Sequence, residues 1–153
     1  MNAFAPMDAA GTITNTAVVS GGGITPITVT ETIGTESTPI LTITKSVSPV
    51  PVTENGTLTY TFLIQNAGSA PADIGTDAVI VDTFNPLLSN LAVSFNGTAW
   101  AETTNYTYDE TTGVFTTIAG QITVPAATYT QNPATGVWTA DPGVSTLVVK
   151  GTI

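Results

Sequence analysis

Three polar side chains, Lys45, Asn15 and Asp82, lie in segments that alternate between apolar and polar residues. Each lies an even number of positions from its apolar neighbours, so on a strand it has the same parity and points to the same face. Each is therefore expected to point into a core. Those neighbours are Leu41, Ile43 and Val47 for Lys45, Ile13, Ala17 and Val19 for Asn15, and Ile80 and Phe84 for Asp82. An apolar site favours a neutral, nucleophilic amine and a protonated acid. Lys45 could then attack the Asn15 carboxamide in a single turnover, with Asp82 as the catalytic proton shuttle while ammonia leaves.

The same parity also has simpler explanations. Lys45 and Asp82 could form a buried ion pair while Asn15 satisfies backbone groups. Alternatively, the alternating pattern around these three residues does not indicate that they are buried. The second lysine, Lys150, alternates out of phase with Leu147 and Val149, so we expect it to face solvent.

The segments that hold these residues are predicted to be strands, because period-two alternation bounded by Gly, Pro and Asn recurs along the chain. The predicted fold class is an all-β sandwich. Its strands cover residues 11–19, 27–33, 41–47, 57–66, 78–84 and 145–153, with hairpins over 91–95, 106–117 and 128–140. The strongest core strand places Leu58, Tyr60, Phe62 and Ile64 on one face. Turns are predicted at Asn96-Gly97, Thr112-Gly113 and Thr135-Gly136.

Composition excludes several classes of function. The 153 residues suit one domain, and the net charge of −9 with two lysines argues against binding to nucleic acid or anionic membranes. The chain has no cysteine and no histidine, so disulfides, thiolate chemistry and the commonest metal ligand are absent. No cofactor and no metal are expected. The start of the chain has no apolar run suited to a signal peptide or membrane insertion.

Three segments of the first half carry a resemblance to a known family. They are LTITKSVSP at 41–49, LTYTFLIQNAG at 58–68 and VIVDTF at 79–84. They resemble the bacterial surface repeat known as domain of unknown function eleven. The resemblance implies an immunoglobulin-like sandwich of the kind strung in tandem on cell-surface and spore-surface proteins.

The order of two further motifs is permuted relative to that family. Its last strand resembles GTITNTAVVS and follows a strand resembling TLVVKGTI, but here these lie at 11–20 and 146–153. The resemblance therefore implies an N-terminal donor strand over 1–20, a linker over 21–39 that can hold an extra strand, and an immunoglobulin-like body over 40–153 that lacks its last strand. The donor residues are Ile13, Asn15, Ala17 and Val19. We expect Gly21, Gly22 and Gly23 to act as a hinge between bodies.

Two outcomes follow from this permutation. Residues 11–20 either close their own domain, or they complete the next subunit by strand addition. Head-to-tail contacts between identical subunits that do not close on themselves make a filament. Gram-positive adhesins and pilins join a first-strand Lys to a last-strand Asn beside an acid, and the resemblance to them implies an isopeptide bond between Lys45 and Asn15. If the strand that holds Asn15 is donated to the next subunit, this bond is intermolecular.

The expected localisation is extracellular, on a cell surface or a spore surface. If Met1 is the native start, we expect synthesis in a cytosol and release by lysis, as for a spore appendage. The alternative function is an adhesive or carbohydrate-binding module, because sandwich loops often present aromatic residues. The candidates lie in the less regular half, and an exposed platform would distinguish them from core residues: Trp100, Tyr106, Tyr108, Tyr129 and Trp138.

Overall fold

The computed structural model describes residues 11–21, 24–35 and 38–153 of the chain. Two N-terminal strands, β1 (Gly11–Gly21) and β2 (Ile24–Thr35), pair antiparallel in a sheet of their own. Gly11 lies opposite Thr35, and after a register shift beyond Val19, Gly21 lies opposite Ile24. We call this hairpin the ribbon. Among the described strands, β1 is hydrogen-bonded to β2 and to none of the strands that follow.

The body, residues 38–153, holds ten further strands and one 3₁₀ turn at Ile74–Thr76. In chain order the strands are β3 (Leu41–Ser48), β4 (Thr57–Asn66), β5 (Val81–Thr83), β6 (Ser89–Phe95), β7 (Thr98–Trp100), β8 (Tyr106–Tyr108), β9 (Val114–Thr117), β10 (Thr128–Gln131), β11 (Trp138–Asp141) and β12 (Gly143–Thr152). The described part of the chain contains no helix long and apolar enough to cross a membrane.

Two antiparallel sheets form the layers of the body, which confirms the predicted all-β sandwich. One sheet has the order β3-β4-β12-β6-β7, and the other has the order β5-β9-β8. The layers meet through aromatic rings: Tyr60 of β4 stacks on Phe84 at 4.6 Å between ring centroids, and Phe84 contacts Phe115 of β9 at 5.6 Å. The strands β10 and β11 form a separate hairpin.

Alternation in the central strands follows the sequence closely. In β4 every second residue is buried, namely Leu58, Tyr60, Phe62, Ile64 and Asn66. In β12 Leu147 and Val149 are fully buried while Lys150 is exposed, which confirms the predicted phase of that strand. The alternating burial shows that one face of β4 and one face of β12 pack on the core, and both strands lie inside their sheet with a neighbour on each side.

The predicted turns connect the outer hairpins. Asn96 and Gly97, with φ of 47° and 81°, join β6 to β7 in the left-handed backbone conformation that a two-residue hairpin requires. Gly113 and Gly136 also have positive φ, and they lie in the connections of the β8–β9 and β10–β11 hairpins. Residues with short polar side chains or no side chain therefore stand where the sequence predicts turns.

Strand β3 departs from the expectation of burial. It pairs with β4 along one side only and forms the edge of its sheet, and all eight of its residues are exposed. Cross-strand pairing still places Leu41, Ile43, Lys45 and Val47 on the same face as the core residues of β4. These side chains thus face inward, but the described residues cover them only in part.

Candidate functional site

An open groove runs between the edge strands of the two sheets. One wall is β3, and the other is the segment 78–84, which contains β5. The groove contains a recess of about 140 Å³. Its lining is mostly aliphatic: Leu41, Thr42, Ile43, Ile64, Ala78, Val79, Ile80 and Ile122.

The two walls of the groove run in the same direction. Ile43 and Ile80 both line the recess, and two residues further along each wall Lys45 meets Asp82. Every second residue of a strand points to the same face. Successive inward-facing residues of one wall therefore lie across from successive inward-facing residues of the other. The groove has an apolar part followed by an ionic part.

Lys45 lies at the mouth of the ionic part. Its Nζ is 2.5 Å from Asp82 Oδ2, and it stands over the ring of Tyr60 at 4.8 Å from the centroid. The rings of Phe84 and Phe62 lie at 5.6 and 5.8 Å. An ammonium over aromatic faces is stabilised by the ring quadrupoles, so Lys45 is held over the core rather than extended into solvent.

The predicted burial of Lys45 is wrong for the described chain. Its side chain is 39% exposed, whereas that of Asp82 is 20% exposed. The difference follows from position: Asp82 is the register partner of the fully buried Phe115 within the second sheet, while Lys45 lies on an edge strand with an open side. The ion pair of the simpler explanation is present, but it is only partly covered.

Asp82 Oδ2 is a buried atom that accepts no hydrogen bond from the described residues. Its contact with Lys45 is an ion pair without the angular geometry of a hydrogen bond. A buried carboxylate oxygen normally has hydrogen-bond donors. The groove therefore holds an amine and a carboxylate in contact, and the carboxylate oxygen in that contact accepts no hydrogen bond from the described residues.

Asn15 is not brought to this pair. It lies in β1, where its register partner is Glu31 of β2. The other donor-strand residues Ile13, Ala17 and Val19 pair with Ile33, Val29 and Ile27. Gly21 ends β1, and Gly22 and Gly23 lie outside the described residues. Strand donation and the glycine hinge stay predictions.

No family model, curated protein or solved structure matches this chain. The groove, its ion pair and the ribbon are therefore the features on which a functional proposal rests. In the described ranges, no three His, Cys, Asp or Glu side chains lie together in a way that could hold a metal ion.

The aromatic residues of the alternative prediction are engaged within the body. Trp100 stacks on Phe95 at 4.9 Å, and the buried Tyr106 stacks on Phe115 at 5.2 Å. The hydroxyl of Tyr108 accepts a hydrogen bond from the Leu88 N–H, and that of Tyr129 donates to the Ala67 carbonyl. Trp138 is half-buried. The adhesive or carbohydrate-binding alternative stays a prediction.

Asn66 is a structural residue of the site that the sequence analysis did not identify. Its fully buried Oδ1 accepts from the N–H groups of Ile40 and Gly68, and its Nδ2 donates to the carbonyls of Ala70 and Pro125. The chain is thereby fixed at Ile40, where it enters the groove wall. The signal was available, because Asn66 has the parity of Ile64 and ends the strongest core strand.

Proposed function

We propose that this chain is the structural subunit of an extracellular or spore-surface filament, in which β1 of one copy fills the groove of the next. The observation that supports this most directly is the uncovered inner face of β3. Leu41, Ile43 and Val47 remain 37%, 50% and 40% exposed although they face the same way as the core residues of β4. Such a face needs a covering strand.

The backbone on the unpaired side of β3 also needs a partner strand. A free strand edge presents N–H and C=O groups that pair readily with another chain, and proteins usually cover or blunt it. Covering apolar area contributes about 25 cal/mol per Å², and the ladder hydrogen bonds add to this. A single added strand satisfies both needs at once.

The chain itself supplies a suitable strand. Ile13, Asn15, Ala17 and Val19 present three apolar residues and one carboxamide at period two, which matches a groove with an apolar part and an ionic part. Because donor and groove lie on different parts of one chain, each copy both gives and receives. Such a head-to-tail contact makes an open filament when its rotation does not close into a ring.

The ion pair in the groove gives the filament a means of becoming covalent. With Asn15 next to it, the Lys45 ammonium passes one proton to Asp82, and the neutral amine attacks Asn15 Cγ. The second amine proton moves to the carboxamide nitrogen as its C–N bond breaks, so the products are an amide bond and ammonia. This single turnover needs no cofactor, oxidant or metal.

The crosslink is tested on purified fibres examined by electron microscopy and boiled in detergent. We expect a ladder of multimers and a proteolytic peptide that joins Lys45 to Asn15 and is lighter by one ammonia than its two parts. Lys45→Ala, Asn15→Ala and Asp82→Ala should each collapse the ladder to monomer, because nucleophile, electrophile and proton shuttle are all required. Lys150→Ala is the matched control, since that lysine faces solvent on β12. Wild-type fibres that boil wholly to monomer would refute the bond.

Strand donation is tested separately by removing residues 1–20. The shortened chain should form no fibres and should be less stable or aggregate, because its groove has no occupant. Normal fibres from the shortened chain would refute strand donation, whatever the outcome of the boiling experiment.

A further inference from the structure

We propose that the subunit donates the whole ribbon, with β1 antiparallel to β3 and β2 still paired along its outer side. This inference rests on the proposed function and specifies the partner surface: the free edge of β3 in a second copy of this chain. The register places Asn15 opposite Lys45, with Asp82 on the facing sheet.

The direction follows from the order of residues on the two strands. From its start, the inward face of β3 reads apolar, apolar, cationic, apolar, whereas the donor set reads apolar, carboxamide, apolar, apolar. Each order is the reverse of the other. Antiparallel pairing with Asn15 opposite Lys45 joins all three apolar pairs: Ile13 with Val47, Ala17 with Ile43, and Val19 with Leu41.

Parallel insertion with the same central pair fits poorly. It would set Gly11 against Leu41, leaving that exposed side chain uncovered, and would carry Val19 past the end of β3 at Ser48. Pro49 and Pro51 follow there, and a proline has no N–H to offer a strand ladder. The end of β3 therefore favours the antiparallel direction as well.

The receiving edge is β3 rather than β5 because of length. Strand β3 offers eight residues with an unpaired side, and β5 has three. Residues opposite each other in an antiparallel pair have Cβ atoms about 5 Å apart, which a lysine side chain spans easily. Pairing on β3 therefore brings the amine to the carboxamide while leaving Asp82 across the groove.

The ribbon stays intact because a strand has two edges and β2 occupies only one of them. From Gly11 to Val19 every β1 residue has a partner on β2. If β1 left β2, it would lose the hydrogen bonds to β2 and replace them with hydrogen bonds to β3. If the intact ribbon docks, β1 keeps its hydrogen bonds to β2 and gains those to β3. An isolated two-stranded hairpin is marginal in water, so docking also stabilises the ribbon.

An intact ribbon fixes the polarity of the filament. Thr35 lies opposite Gly11, so the chain returns to the Ser48 end of the receiving groove. Residues 36–40 then lead to Leu41 of the donor's own body, and so short a segment spans at most about 20 Å. Leu41 begins at the end fixed by Asn66. Each body therefore sets its Asn66 end beside the Ser48 end of its neighbour, and all bodies point the same way.

The cysteine-free chain allows a direct test of the ribbon. Thr16 and Thr30 are register partners with the parity opposite to the donor set, so Thr16→Cys with Thr30→Cys locks the ribbon without changing its groove-facing residues. We expect the oxidised variant to form fibres and a detergent-resistant ladder to the same extent as the reduced variant. Assembly lost on oxidation and restored by reductant would show that β1 must leave β2.

The direction is tested by two matched pairs in an Asn15→Ala background, where only disulfides can link subunits. Ile13→Cys with Val47→Cys should give disulfide-linked multimers in fibres, whereas Ile13→Cys with Ile43→Cys should give monomers. The reverse result, or fibres in which neither pair links, would overturn this register. A wild-type chain that forms no fibres would instead refute the proposed function, so the two failures are distinguishable.

Discussion

At the scale of single residues, Asn66 shows how one side chain fixes the site's geometry. Its four hydrogen bonds join Ile40, Gly68, Ala70 and Pro125, which no strand ladder pairs with one another. Gly68 allows the close approach: a Cβ there would lie 2.0 Å from the Thr38 carbonyl oxygen. The start of β3, and with it the position of Lys45, depends on this junction.

We predict that Asn66→Ala destabilises the subunit by about 3 kcal/mol, because it leaves several buried backbone groups without partners. The measurement is the free energy of unfolding from denaturant titration, followed in the monomer. Asn132→Ala is the matched control: Asn132 caps the exposed β10–β11 turn, and its loss should cost about 1 kcal/mol or less. Equal losses in the two variants would contradict the role assigned to Asn66.

Lys45 shows what parity does and does not predict. The sequence predicted its face correctly, since it pairs opposite Phe62 and stands over core rings, and it predicted the acid that it meets. The sequence did not predict its exposure. The alternation of a strand predicts which face a side chain lies on. Whether that face is buried depends on another segment of chain that covers it.

At the scale of elements, β3 and β4 separate what local pattern determines from what topology determines. Both alternate, yet β4 is buried on one face because it has neighbours on both sides, whereas β3 has only one. The pairing of β1 with β2 rather than with the body could likewise not be predicted. The alternating sequence of β1 is compatible with either partner. The turns could be predicted because Asn-Gly and Thr-Gly favour their backbone conformations locally.

We predict that Ile43→Lys destabilises the monomer by only about 1 kcal/mol but abolishes fibres. Ile43 is half exposed in the monomer, so its replacement loses about half of the roughly 1.5–3 kcal/mol that full burial of such a side chain contributes. In the filament a donor strand would bury the new ammonium without a partner. The measurements are denaturant titration of the monomer and electron microscopy of the assembly reaction.

The control for that experiment lies on the same strand. Thr44→Lys adds the same charge on the opposite face of β3, away from the recess. We expect this variant to assemble as the wild type does. Fibres formed normally by Ile43→Lys would show that the recess is not where subunits meet.

At the scale of the whole molecule, the strongly negative net charge of the chain bears on the proposed contact between copies. Its net charge is −9, with eleven acidic residues and two lysines, one of which is engaged in the groove. Like charges on approaching subunits slow their encounter, and salt screens charges separated by more than a Debye length of about 10 Å at 0.1 M. The apolar groove and the ladder hydrogen bonds must overcome this repulsion.

Assembly should therefore accelerate with ionic strength. We predict that raising sodium chloride from about 10 mM to about 150 mM increases the rate of fibre growth severalfold, because the Debye length falls from about 30 Å to about 8 Å. The measurement is light scattering at fixed subunit concentration. Lys150→Glu sharpens the test: it removes one positive charge and adds one negative charge at an exposed position of β12, taking the net charge from −9 to −11. That variant should assemble more slowly at low salt and approach the wild-type rate at high salt. Growth that is independent of salt in both chains would mean that charge does not limit the encounter, and that docking of the ribbon sets the rate instead.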